Sequence, residues 1–179
     1  MSSFKAFAPG VEVNGETVLS VLDGMGAFKT MGLKILADNG IVNPVPGQWY
    51  SQQAWLDSFK AISQKLGPST LRAIGKSIPA NAQWPPEVKT IQAALSSIDI
   101  AYHMNHRGGE IGHYTFKAGN DNGGTLVANN PYPSDFDLGI IQAVAQKFAP
   151  AGTRPAVSLD TAAPTRLNGA DSCTYTIGW

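Results

Sequence analysis

All three histidines of this 179-residue chain fall within eleven residues, in the run Tyr102-His103-Met104-Asn105-His106-Arg107-Gly108-Gly109-Glu110-Ile111-Gly112-His113-Tyr114. Imidazoles at this density can ligate a metal, hold a haem iron or donate to the head group of a ligand. A helix running through His106 would make His103 and His106 neighbours at i,i+3, with Glu110 or His113 returning toward them after the glycine pair. That is a two-histidine, one-carboxylate set for a divalent ion. The competing reading is a helix-to-strand corner in which His, Asn and Arg satisfy backbone groups and one another. Because the Gly108-Gly109 hinge leaves the third ligand unplaced, the corner is favoured and no metal is expected. Haem needs an axial residue and partners for its propionates, for which Tyr102 and Arg107 are available. Nothing in the spacing demands it, and no cofactor is expected.

Other reactive groups have structural work to do. Cys173 lies in a run that alternates like a strand, and Ser134 follows a proline where a helix should begin, a capping position. Asp135 and Asp137 then fall in that helix's first turn, where they oppose the macrodipole. There is no Gly-x-Ser-x-Gly elbow, no Walker pattern and no Gly-x-Gly-x-x-Gly, so the residues do not point to an enzyme. The aromatic residues offer more. Trp49, Tyr50, Trp55, Phe59 and Trp84 gather in one half of the chain with Met25, Phe28 and Met31. They form either an ordinary core or the wall of an apolar cavity, for which bulky rings and adaptable methionines are suited. On the second reading the ligand contacts are Trp49, Trp55, Phe59, Trp84 and Tyr102. His106 and Arg107 would then supply donors to a carboxylate head.

The elements that must position these residues are marked by 19 glycines and 12 prolines. Residues 11–22 read as a hairpin turning at Asn14-Gly15, a type I′ signal. A helix is expected over 24–38, closed by Asn39-Gly40, and another after Ser51 that carries Trp55, Phe59, Ile62 and Leu66 to Gly67-Pro68. A short helix follows over 69–77. Pro85-Pro86 suit a helix start, and Val88, Ile91, Leu95 and Ile98 mark one amphipathic helix continuing through Tyr102. The pattern then changes to strands over 111–117 and 125–129, joined by a tight connection at 119–124. Ser134-x-x-Asp137 opens a helix bearing Phe136, Ile140, Ile141, Val144 and Phe148. Strands over 156–160 and 173–179 close the chain. The expected fold class is α+β: an N-terminal helical bundle packed on a C-terminal four-stranded antiparallel sheet with one inserted helix.

Composition bounds the rest. The length suits one domain spanning 1–179. At 43% hydrophobic and 15% charged the chain has enough apolar content for a core. Thirteen basic residues balance thirteen acidic ones, and arginine is scarce, which argues against a nucleic-acid surface. One cysteine excludes an internal disulfide framework. No apolar run is long enough to span a bilayer, and the first ten residues do not read as a secretory leader, so a cytoplasmic location is expected.

Two segments carry a resemblance. Asn130-Pro-Tyr-Pro-Ser-Asp-Phe-Asp-Leu-Gly139, with the later Cys173-Thr-Tyr-Thr-Ile-Gly-Trp179, resembles the 4-vinyl-reductase-type, or hydrocarbon-binding, ligand domains. Those share a superfamily with the H-NOX sensors and with small subunits of the TRAPP trafficking complex. Ser134 stands where that family often has cysteine, while Cys173, Tyr175 and Trp179 match its closing pattern. The Tyr-x-Ser-x-Arg propionate pattern of H-NOX relatives does not follow Tyr102. The resemblance therefore implies a sensory domain that works without haem, buries a fatty-acid or hydrocarbon-like molecule and signals to a partner, with a homodimer among the assemblies it allows. The alternatives are a haem or metal gas sensor of H-NOX type and a ligand-free dimerisation module.

Overall fold

The computed structural model describes residues 3–82, 84–119 and 122–179. The chain runs β1 (Glu12–Asn14), α1 (Gly15–Gly24), a 3-10 turn (Gly26–Phe28), α2 (Lys29–Asp38), β2 (Trp49–Ser51), α3 (Gln52–Leu66) and α4 (Pro68–Asn81). It continues through α5 (Ile91–Ser96), α6 (Ile98–Met104), β3 (His106–Arg107), β4 (His113–Ala118), β5 (Gly123–Asn129) and α7 (Ser134–Lys147). After α7 come β6 (Ala156–Leu159), a second 3-10 turn (Arg166–Asn168) and β7 (Cys173–Gly178). The mixed helix-and-sheet class expected from the sequence is present. The four-stranded antiparallel sheet has the order β4-β5-β7-β6, and a second, three-stranded sheet has the order β2-β1-β3. Among the described residues no helix is long and apolar enough to cross a membrane.

Asn14-Gly15 is not a hairpin turn. Asn14 is extended and its side chain accepts from the Thr17 amide, so it caps α1, while Glu16 sits in the first turn against the helix dipole. Gly15 is required for a different reason: a Cβ there would lie 2.0 Å from the Val45 carbonyl oxygen. The helix expected over 24–38 starts later, at Lys29, and stops at Asn39 as read. Ser51 caps α3 through the Ala54 amide. The short helix over 69–77 extends to 68–81, with Pro68 in its first turn and Pro79 near its far end.

The helix expected from Val88 to Tyr102 is two helices. Thr90, rather than the proline pair, begins α5 by accepting from the Ala93 amide. At Ser97 the hydroxyl donates to the Ala93 carbonyl at 2.7 Å, competing with the helical ladder, and α6 restarts at Ile98. The tight connection at 119–124 includes residues 120 and 121, which lie outside the described residues.

One cluster of buried apolar side chains runs through both halves of the chain. Within it, α4 packs closely on α7. A Cβ at Gly75 would sit 2.1 Å from the Phe136 carbonyl oxygen, and one at Gly139 would sit 2.2 Å from that of Arg72. Two glycines, one on each helix, let the backbones approach closely.

Candidate functional site

Where α6 ends, the chain turns into β3 and pairs with β1, placing Val13 opposite His106 and Glu12 opposite Arg107. Successive strand residues point to opposite faces. His106 accordingly enters the core, 8% exposed, while Arg107 faces out. The Tyr102 carbonyl lies 2.8 Å from His106 Nδ1 and can only accept, so Nδ1 carries the proton and donates. Nε2 then accepts from the Tyr132 hydroxyl at 2.7 Å. Burial lowers the His106 pKa to about 4, against the opposing pull of the Tyr102 carbonyl, so the ring is neutral at pH 7. The Tyr102 hydroxyl donates to the Ile111 carbonyl at 2.6 Å, and burial raises the pKa values of Tyr102 and Tyr132.

These rings border an apolar cavity of about 90 Å³ between α3, α4, α6, α7 and the start of β4. Trp55, Tyr102, His106, Tyr114, Tyr132 and Phe136 form its aromatic side. Ile78, Ile98, Ala101, Ile140 and Val144 complete its aliphatic side, and no lysine or arginine is among its lining residues. The cavity has room for a few water-sized groups. Trp55 Nε1 and both amide atoms of Gln52 are buried here, and the Trp55 indole lies beside the Tyr132 hydroxyl. Gln52 lies near the Tyr102 and Tyr132 hydroxyls, where it favours their ionised forms.

The structure divides the residues proposed as ligand contacts. Trp55, Trp84, Tyr102 and His106 line the cavity. Trp84 is anchored by its Nε1 donating to the Pro79 carbonyl at 3.1 Å and by an edge contact with Phe148. Phe59 stands behind the wall, edge-on to Trp55, Tyr132 and Phe136. Trp49 and Arg107 are elsewhere, stacked on each other at 4.3 Å on the outer side of β1–β3, with Arg107 Nε donating to Glu12 at 2.7 Å. The paired His106–Arg107 head-group site is therefore corrected: adjacent strand residues cannot face one guest. Nor are His103 and His106 neighbours on one helical face, because the helix ends at Met104.

The motif segments meet behind the cavity. The Tyr175 hydroxyl donates to the Ser134 carbonyl at 2.9 Å, joining β7 to the start of α7. Ser134 itself makes no cap; Pro133 occupies the cap position. Asp137, fully buried, does more than oppose the helix dipole. It accepts from the Tyr114 hydroxyl at 2.6 Å and from Asn130, and it pairs with Arg166. Arg166 also donates to the Ala128 carbonyl at 2.6 Å. Burial raises the Asp137 pKa, opposed by Arg166, Tyr114 and Asn130. Sequence reasoning missed Gln52 and Arg166, whose partners lie far along the chain.

No protein-family profile matches the chain. No curated protein matches it either. Solved structures do. An H-NOX protein from S. oneidensis in the Fe(II) ligation state, a triple mutant, is 18% identical, with 92% of this chain and 95% of that one covered at a TM-score of 0.71. The chain has an H-NOX-like fold. The S. oneidensis H-NOX protein in the Fe(II)NO state is 13% identical, with 90% and 97% covered and a TM-score of 0.67. An H-NOX protein from K. algicida, Fe(II) unliganded, is 14% identical, with 92% and 95% covered and a TM-score of 0.62. At these identities the H-NOX-like fold is what is shared.

Proposed function

We propose that this chain is a sensory ligand-binding domain, not an enzyme, whose H-NOX-like fold holds a small uncharged molecule in the cavity beside His106 and Tyr132. The observation that carries this reading is the cavity itself. It is apolar, bordered by a neutral imidazole and walled by the rings of Trp55, Tyr102, Tyr114, Tyr132 and Phe136. A guest of a few heavy atoms would find dispersion contacts there. A fatty-acid chain would not fit, since pockets for ligands of that size measure about 300–1,000 Å³. On this reading the guest is small and uncharged rather than lipid-like.

Signalling would pass through β3. His106 touches the cavity, while the next residue, Arg107, holds Glu12 and Trp49 on the surface. Asn14 extends the link: its Nδ2 donates to Asn105 Oδ1 at 2.5 Å, and its own Oδ1 caps α1. A guest that favours one placement of α6 shifts the population of that outer face. A partner protein, or a second copy of the chain, would read it.

A second reading, a haem-dependent gas sensor, is favoured by the comparisons taken alone, since the similar H-NOX structures include proteins in the Fe(II) and Fe(II)NO ligation states. The residues do not fit haem as they stand. Both nitrogens of His106 are committed, no cation lines the cavity for propionates, and the volume is far too small for a porphyrin. Titrating the purified protein with haem separates the readings. The direct-binding reading expects no stoichiometric Soret band. A one-to-one band that disappears in His106→Gln would establish the haem sensor instead.

A further inference from the structure

The outer face of α6 carries a feature unrelated to the cavity. Asp99, His103 and His113 each offer a ligand atom within 4.8 Å of the other two. Asp99 and His103 lie one helical turn apart on α6, and His113 opens β4, so the sequence brings the third group back across the Gly108-Gly109 turn. We infer that Asp99, His103 and His113 form a surface binding site for a divalent late transition ion such as Zn²⁺, clamping α6 to β4.

Several observations support it. The donor set is two imidazoles and one carboxylate, a set suited to Zn²⁺, Cu²⁺ or Ni²⁺ and poorly suited to Ca²⁺ or Mg²⁺, which take oxygen ligands. His103 Nδ1 lies 2.8 Å from the Asp99 carbonyl, which can only accept, so the proton stays on Nδ1 and Nε2 is left with its lone pair. The two imidazole rings are stacked at 4.8 Å with 30° between their planes, and His113 Nδ1 lies 3.3 Å from Asp99 Oδ2. Asp99 Oδ1 is held in turn by the Tyr114 amide at 2.8 Å, which fixes the carboxylate from behind. Ligand atoms about 2.1 Å from a tetrahedral ion are roughly 3.4 Å apart, so the three must draw together by more than an ångström. His103 and His113, with side chains 40% and 60% exposed, have the freedom to do so. The remaining coordination positions face solvent and would be filled by water.

α6 presents Ile98, Ala101 and Tyr102 to the cavity and Asp99 and His103 to the outside. An ion here would restrain the helix that forms one cavity wall. The site does not depend on what the cavity binds.

The test is equilibrium dialysis of untagged protein against Zn²⁺, with a thermal melt at each loading. The inference expects one ion per chain with a micromolar Kd, a rise in Tm on loading, and no response to Mg²⁺. His113→Gln, a change at an exposed side chain, should weaken binding at least ~tenfold and abolish the Tm rise while the metal-free melt stays in place. His103→Gln should do the same. Absence of one-to-one binding at micromolar Zn²⁺, or binding that both variants leave unchanged, would overturn the assignment.

Discussion

The Tyr132 hydroxyl donates to His106 Nε2 across 2.7 Å, joining residues 26 positions apart and fixing a neutral imidazole at the edge of the cavity. The cavity has its shape because this bond, with the Tyr102 carbonyl on the other nitrogen, leaves the ring no freedom to turn. Removing the hydroxyl strands a buried acceptor, so Tyr132→Phe should cost about 1–3 kcal/mol in urea unfolding at pH 7.

The same imidazole makes stability depend on pH. Its folded pKa is lowered to about 4, below the ordinary value of about 6.5. The unfolded chain therefore takes up a proton as pH falls through 6.5, while the folded chain does not until about pH 4. Stability contributed by neutral His106 is present above pH 6.5 and is lost progressively on acidification. Between pH 7 and pH 4.5 the loss should be about 2–3 kcal/mol. Denaturant midpoints across that range should fall less steeply in His106→Gln than in the parent. Parallel slopes would show that the ring titrates normally.

Arg166 and Asp137 are both buried, with side chains 2% and 0% exposed. Losing one member leaves the other uncompensated, so Arg166→Met should cost about 3–5 kcal/mol. Because the pair joins the second 3-10 turn to α7 beneath β5, hydrogen exchange should accelerate first along β5 and β7. A variant as stable as the parent would mean the pair is replaceable by packing alone.

At the α4–α7 crossing, Gly139→Ala would drive a methyl group against the Arg72 carbonyl. Backbone atoms yield poorly, and the expected loss is about 3 kcal/mol or more, read as a lower urea midpoint with an unchanged m-value.

Much of this was readable before the fold was known, and the failures have physical causes. The C-terminal strands announced themselves by alternation because each has a buried and a solvated face, as in Cys173, Tyr175 and Ile177 against Thr174 and Thr176. The β1–β2–β3 sheet gave no such signal, since its strands are two or three residues long. Asn14-Gly15 misled because the pair that suits a tight turn also suits a helix cap beside a crowded carbonyl. Four of the proposed contacts, Trp55, Trp84, Tyr102 and His106, share a cavity. Arg107 was drawn into the same site by adjacency, which on a strand means opposite faces. Gln52 could not have been found: the Gln52-Gln53 pair at a helix start carries no pattern, and the neighbours of Gln52, Tyr102 and Tyr132, are remote in sequence.

The central claim is that the cavity beside His106 admits a small uncharged guest directly. The most direct measurement is an amide and indole NMR spectrum recorded under rising xenon pressure, with Ala101→Leu as the filled-cavity counterpart. The account predicts saturable shifts centred on the Trp55 and Trp84 indole N–H groups and on the amides of Ala101 and Tyr102, and their loss in the leucine variant. Shifts scattered over the surface, or none at the cavity, would contradict it.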